Sequence, residues 1–244
     1  MCIFIAQTFT MKNYTLIAIL FCCAFAKAYS QQLSGPELVA KSIAYHDPNS
    51  NWETFTGEFT LVLDMPDKPD RKSVITLDLP REYFNVTTTQ DGKTSFRELL
   101  GTACKYTNEA EEVVTSTTAD EDCERTVMFR NYYSYLYGLP MKLTDMGTII
   151  EKDVKKHTFK GKEYLVARVR YDKNVGTDVW QFYFDPETYA MEVYQFFKGD
   201  DETTGEYILL TDLAIIGGIK MPKDRAWYYN KNDGYLGTDK IKVN

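Results

Sequence analysis

The chain has 244 residues, 44% of them hydrophobic, and a formal net charge of −7. That length can bury a substantial core as one domain. The acidic balance argues against a nucleic-acid partner and against simple electrostatic docking on anionic lipid.

In chain order, residues 1–30 carry no acidic side chain, and an apolar block from Leu16 to Phe25 follows Met11-Lys12-Asn13 and gives way to Ala26-Lys27-Ala28 before Ser30. This is the pattern of a secretory signal peptide, too short to span a membrane, where roughly 20 apolar residues are needed. The positive flank begins at Met11, which points to translation starting there. The expected location is therefore outside the cytoplasm, the periplasm foremost, with outer-membrane attachment or secretion as alternatives. Leu20-Phe21-Cys22-Cys23 lacks the small residues that precede a lipidated cysteine. Cys2, Cys22 and Cys23 fall in this segment, which leaves Cys104 and Cys123 as an even pair for a disulfide in an oxidising compartment. Closing that loop contributes on the order of 3 kcal/mol by restricting the unfolded chain. Free thiols are the alternative.

From residue 31 to residue 244 no linker, repeat or low-complexity tract intervenes, and a single domain is expected. Ser34-Gly35-Pro36-Glu37 has the form of a capping box with Pro in the first turn, and predicts an amphipathic helix that Asp47-Pro48 ends. From Trp52 the period changes to two. Phe59, Leu61 and Leu63, then Ile75, Leu77 and Leu79, alternate with polar partners across a turn at Met65 to Arg71, and Asp91-Gly92 marks a tight hairpin. A second helix is predicted from about Asp120 to Tyr137, with Met128, Tyr132, Tyr135 and Leu136 on its apolar face, an acidic first turn, and Gly138 with Pro140 as terminators. Strands resume from Thr148, with Lys160-Gly161-Lys162 and Asn232-Asp233-Gly234 as turns, for about ten strands and two helices in all.

The most informative stretch runs from Val179 to Tyr229, a meander dense in large aromatics. A four-residue turn at Asp185 to Thr188 would pair Phe184 with Tyr189, Phe182 with Met191 and Trp180 with Val193, all on one face. That face is either ordinary core or the lining of an apolar cavity that a curved sheet encloses.

The order of an N-terminal helix, antiparallel meander, intervening helix, Phe184-Asp185-Pro186-x-Thr188 turn and Gly217-Gly218-Ile219-Lys220-Met221-Pro222 before a late strand resembles the exported lipoprotein-localisation superfamily of LolA and LppX type. Over residues 31–244 it is also similar to a group of exported bacterial proteins without an assigned role. The resemblance implies an α+β fold, mostly antiparallel β: a curved, incomplete barrel of about ten strands wrapped around two helices. In that superfamily a helical plug covers an apolar cavity, and characterised members carry the acyl chains of lipoproteins or other lipids. A sheet arginine gates the cavity in the carriers; none of Arg97, Arg125, Arg168 and Arg170 aligns with it, and no functional residue is carried over.

Chemistry is sparse. His46 follows Tyr45 at the end of the first helix, where an imidazole can meet the negative end of the dipole, and the alternative is a general base oriented by Asp47. His157 lies among lysines in an expected turn. Asp200-Asp201-Glu202 is an acidic tip that would hold calcium weakly at best, and Lys220 to Arg225 is a basic cluster that reads as a strand entry. No hydrolase, metalloprotease, Walker or dinucleotide fingerprint occurs. The reading is a non-catalytic exported binding protein that holds an apolar or lipid ligand against Trp180, Phe182, Phe184, Tyr189, Met191 and Val193. It needs no cofactor or metal, and has a partner, if any, in the envelope or at a membrane. The alternatives are an envelope structural or interaction protein with a filled core, and a hydrolase with a site near His46.

Overall fold

A computed structural model describes residues 33–242. The signal-peptide pattern at residues 1–30 lies outside them.

The first helix, α1 (Gly35–His46), starts on the anticipated capping box. The Ser34 backbone N–H donates to Glu37 Oε2 at 2.8 Å, and the Glu37 N–H donates back to Ser34 Oγ at 3.5 Å. At the other end the Asp47 carboxylate accepts from the backbone N–H groups of Asn51 and Trp52, both at 2.8 Å, and fixes the exit into a short 3-10 turn at Trp52–Thr54. Leu38 and Val39 bury one face of α1 against the sheet.

Next comes a meander of six strands: β1 (Thr56–Met65), β2 (Lys68–Asp78), β3 (Tyr83–Gln90), β4 (Lys93–Leu100), β5 (Ala103–Thr107) and β6 (Val113–Thr117). The β3–β4 hairpin turns on Asp91 and Gly92, with φ of 50° and 73°. After α2 (Glu121–Gly138) the strands are β7 (Thr148–Ile150), β8 (Lys155–Phe159), β9 (Lys162–Tyr171), β10 (Val179–Phe184), β11 (Met191–Lys198), β12 (Asp201–Ile216), β13 (Ile219–Tyr229) and β14 (Tyr235–Lys242). All fourteen belong to one antiparallel sheet, in the order β6-β5-β4-β3-β2-β1-β14-β13-β12-β11-β10-β9-β7, with β8 also paired to β9. Its two ends do not pair, so the sheet stays open.

There are more strands than the expected ten. β5, β6 and β8 have five residues each and are largely exposed, with only Cys104 and Tyr106 buried on β5 and none on β6 or β8, so each is too short or too polar to give a clear periodic signal. His157 therefore sits on β8, paired with Tyr164, and not in a turn.

The inward face of α2 is broader than expected: Tyr132, Tyr135 and Leu136 border the space beside the sheet as anticipated, and Met128 does not. Cys123, Thr126, Tyr133, Leu136 and Tyr137 face the sheet, and Met128 is 53% exposed. The run Tyr132-Tyr133-Ser134-Tyr135-Leu136-Tyr137 is apolar all round, so periodicity alone leaves the rotation open. Cys123 settles it: its bridge to Cys104 on β5, with Cα atoms 6.1 Å apart, turns the first turn of α2 toward the sheet.

Candidate functional site

The β10–β11 hairpin carries most of the anticipated site, and its register differs from the one a four-residue turn would give. Phe184 pairs with Met191, Tyr183 with Val193, Phe182 with Tyr194 and Trp180 with Phe196, with a bulge between Tyr183 and Phe184. Asp185 holds the longer turn. Its Oδ1 accepts from the Glu187 and Thr188 N–H groups at 3.0 and 2.8 Å, and Tyr189 takes a left-handed φ of 62°. The concave face of the hairpin thus bears Trp180, Phe182 and Phe184 beside Phe196, Tyr194 and Met191. Val193 points to the opposite face, where it packs with Tyr164, Val166 and Tyr183. The expected pairing of Trp180 with Val193 is corrected by the two extra turn residues and the bulge.

The concave face divides in two. Phe182, Phe184, Met191 and Tyr194 are fully buried in the main core. Tyr189 packs at its margin, with the Lys41 ammonium 4.8 Å from its ring centroid. Trp180 and Phe196, centroids 5.0 Å apart, are only partly buried and border an open cavity of about 610 Å³ between α2 and the sheet. Tyr132, Tyr135 and Leu136 of α2 form one wall, Leu63 and Met65 of β1 another, and Trp227 of β13 and Gly237 of β14 a third. The edge of the Tyr135 ring meets Trp180, centroids 5.7 Å apart, and its hydroxyl bonds that of Tyr171, which holds the wall in place. That volume lies within the range of small-molecule and lipid pockets, with the usual mostly apolar lining and a few polar groups.

The polar groups are specific. Asp239 is nearly buried, accepts from the Trp227 indole N–H at 3.1 Å, and has its carboxyl pushed up by burial against the opposing pull of Arg225 and Arg71. Arg225 is 1% exposed, donates to the carbonyls of Pro222 at 2.7 Å and Leu136 at 3.4 Å, and stacks on Tyr137 at 3.9 Å. It ties β13 to α2. As a member of the basic cluster it was expected at a strand entry. The period of two through Ile219, Met221, Arg225 and Trp227 is the signal that places it inside. Lys68, Arg71, Asp178 and Glu206 complete the charged lining, and burial raises the Glu206 carboxyl.

His46 is a tie between elements, not a cap. It is fully buried, its Nδ1 donates to the Lys220 carbonyl at 2.6 Å, and its Nε2 accepts the Met191 N–H at 3.0 Å. Both nitrogens are committed to backbone, so the ring is neutral with its proton on Nδ1. Burial lowers its pKa from 6.5 to about 4. This arrangement leaves it no nitrogen for a substrate.

A second cavity of about 340 Å³ lies where β8 runs alongside β9. Arg168, in its lining, and Arg170 both donate to Asp200 Oδ1, at 2.8 and 2.6 Å, so the first carboxylate of the acidic tip is paired with arginine. Among the described residues no group of three or more His, Cys, Asp or Glu side chains is placed to hold a metal. No helix among them is long and apolar enough to cross a membrane.

The model of the family of unknown function DUF6503 matches residues 14–243, and the chain belongs to that family. No curated protein matches it. Among solved structures it is similar to the LolA superfamily protein NE2245 from Nitrosomonas europaea. The identity is 8% and the TM-score 0.53, over 86% of this chain and 92% of that one. It is also similar to a DUF1329 family protein from Desulfovibrio piger, at 7% identity and a TM-score of 0.49, over 85% of this chain and 91% of that one. The fold is LolA-like: two helices held within a large, open, curved antiparallel sheet.

Proposed function

We propose that this member of the DUF6503 family is an exported, non-catalytic binding protein that holds a lipid or other apolar ligand between α2 and the concave face of its sheet. The observation that carries the reading is the open, aromatic-walled cavity bounded by Trp180, Phe196, Trp227 and Tyr135. Leaving such surface unfilled costs about 25 cal/mol per Å² of apolar area, which an apolar guest recovers. The ligand-facing residues are then Trp180 from the original set, joined by Phe196 and Trp227, with Phe182, Phe184 and Met191 as the packed floor beside them. The signal-peptide pattern and the LolA-like fold support a periplasmic location.

The test is titration of the delipidated protein with a fluorescent fatty-acid probe, beside a Leu63→Trp variant that adds bulk inside the cavity. Saturable uptake that Leu63→Trp abolishes supports the reading. Absence of uptake by the unaltered protein rejects it in favour of an envelope interaction protein, to which the filled half of the face would then belong.

A further inference from the structure

We propose that the ligand of this cavity is an acidic amphiphile, with one apolar chain along Trp180, Phe196 and Trp227 and one anionic headgroup, carboxylate or phosphate, on the guanidinium of Arg71. The inference rests on the reading of the cavity as a lipid site and adds the chemistry of the headgroup.

The strand register sets one row of side chains across the concave face. Arg71 on β2 lies opposite Leu63 on β1, Leu63 opposite Asp239 on β14, and Asp239 opposite Arg225 on β13. Two guanidiniums thus flank one carboxylate in this row, and of the two Arg71 is the one that reaches the apolar chamber. Arg225 spends its Nη1 and Nη2 groups on the Pro222 and Leu136 carbonyls. Asp239 is engaged by the Trp227 indole. Arg71 has no such commitment: it lines the cavity, and its Nε is shut off from solvent without a hydrogen-bond partner. A buried N–H without a hydrogen-bond partner is costly, and a charge-assisted bond to an anion is about twice as strong as a neutral one. The planar fork of Arg suits a carboxylate or phosphate.

Lys68 adds a second cation on the same strand. The acids Asp178 and Glu206 belong to the far wall. β12, which bears Glu206, is four strands from β2 in the sheet order, roughly 19 Å along the sheet at one strand spacing per step, and β10, beside Asp178, is farther still. Along the sheet Arg71 and Lys68 thus share one strand, Asp239 is two strands away, and the other two lining acids are farther off.

The experiment is displacement of the fatty-acid probe from the delipidated protein by three ligands of equal chain length: palmitate, hexadecanol and hexadecyltrimethylammonium. Hexadecyl phosphate added as a fourth arm separates a carboxylate site from a phosphate site. The unaltered protein should bind one of the two anions at least about tenfold more tightly than the alcohol. Arg71→Gln should erase that preference while still binding the alcohol, and Arg71→Lys should restore part of it. Equal affinity for anion and alcohol, tighter binding of the ammonium, or a preference that survives Arg71→Gln would overturn the proposal and leave the cavity reading intact. Failure of every chain to bind the unaltered protein would overturn both.

Discussion

His46 makes a sharp prediction about acid. The ring is buried between α1, β11 and β13, and accepting a second proton on Nε2 would destroy the bond from the Met191 N–H in a site already facing Lys220 and Arg225. In the unfolded chain the imidazole titrates near 6.5, and in the fold near about 4. The sign follows. Between those values the unfolded state binds a proton that the fold does not, so stability is complete above pH 6.5 and falls as pH drops toward 4. At about 1.4 kcal/mol per pH unit the full loss is on the order of 3 kcal/mol, of which ~2 kcal/mol is gone at pH 5. Urea unfolding at several values between pH 7.5 and pH 4.5, on the protein and on His46→Phe, measures it. The variant starts less stable because the Lys220 carbonyl and Met191 N–H lose their partner, by about 2 kcal/mol or more. Its stability should nevertheless fall less with acid, so the two curves converge. Asp185, whose carboxyl is held well below the ordinary range by Lys162 and by N–H groups in its own turn, contributes only at lower pH and is common to both proteins. Parallel curves across this window would refute the account of His46.

Reduction of the Cys104–Cys123 bridge, or its replacement by alanine at both positions, should cost roughly 2–4 kcal/mol. Its effect should concentrate at the start of α2, read as faster amide exchange around Cys123. Gly138→Ala should destabilise by about 1–3 kcal/mol by thermal melting, although alanine is the better helix former. A Cβ there would run into the Trp52 ring and the Lys142 side chain. Two neighbours on one strand separate floor from wall. Phe182→Ala, in the packed core, should cost about 3–5 kcal/mol. Trp180→Ala, at the partly open wall, should cost clearly less and weaken probe uptake instead.

Much of the fold was legible in local sequence. The capping box at Ser34, the Asp91-Gly92 turn and the period of two through Phe59 to Leu79 each correspond to an observed cap, turn or strand, because each is decided by residues close together in the chain. The hairpin register was not legible. The two extra turn residues at Asp185 keep each side chain on its face, but the one-residue bulge beyond them flips the rest of β11, and the turn is stabilised by a left-handed Tyr189 that no turn rule favours. For that reason Val193 and Tyr194 exchange the faces expected of them, and Phe196 joins the concave face. The rotation of α2 depended on the disulfide, since tyrosines surround its second half. Arg225 and Asp239 were missed because strand-borne charges read as solvated until the opposite side of the sheet curls over them. Their burial is a property of fourteen strands together, not of β13 or β14.

The central claim is that the cavity beside Trp180 holds a guest, and native mass spectrometry of the protein purified gently from its own host addresses it most directly. The account predicts a bound species with the mass of a lipid, lost on organic extraction and absent from Leu63→Trp prepared in the same way. A protein that arrives at its bare polypeptide mass, with the unaltered chain and the filled variant indistinguishable, would contradict it.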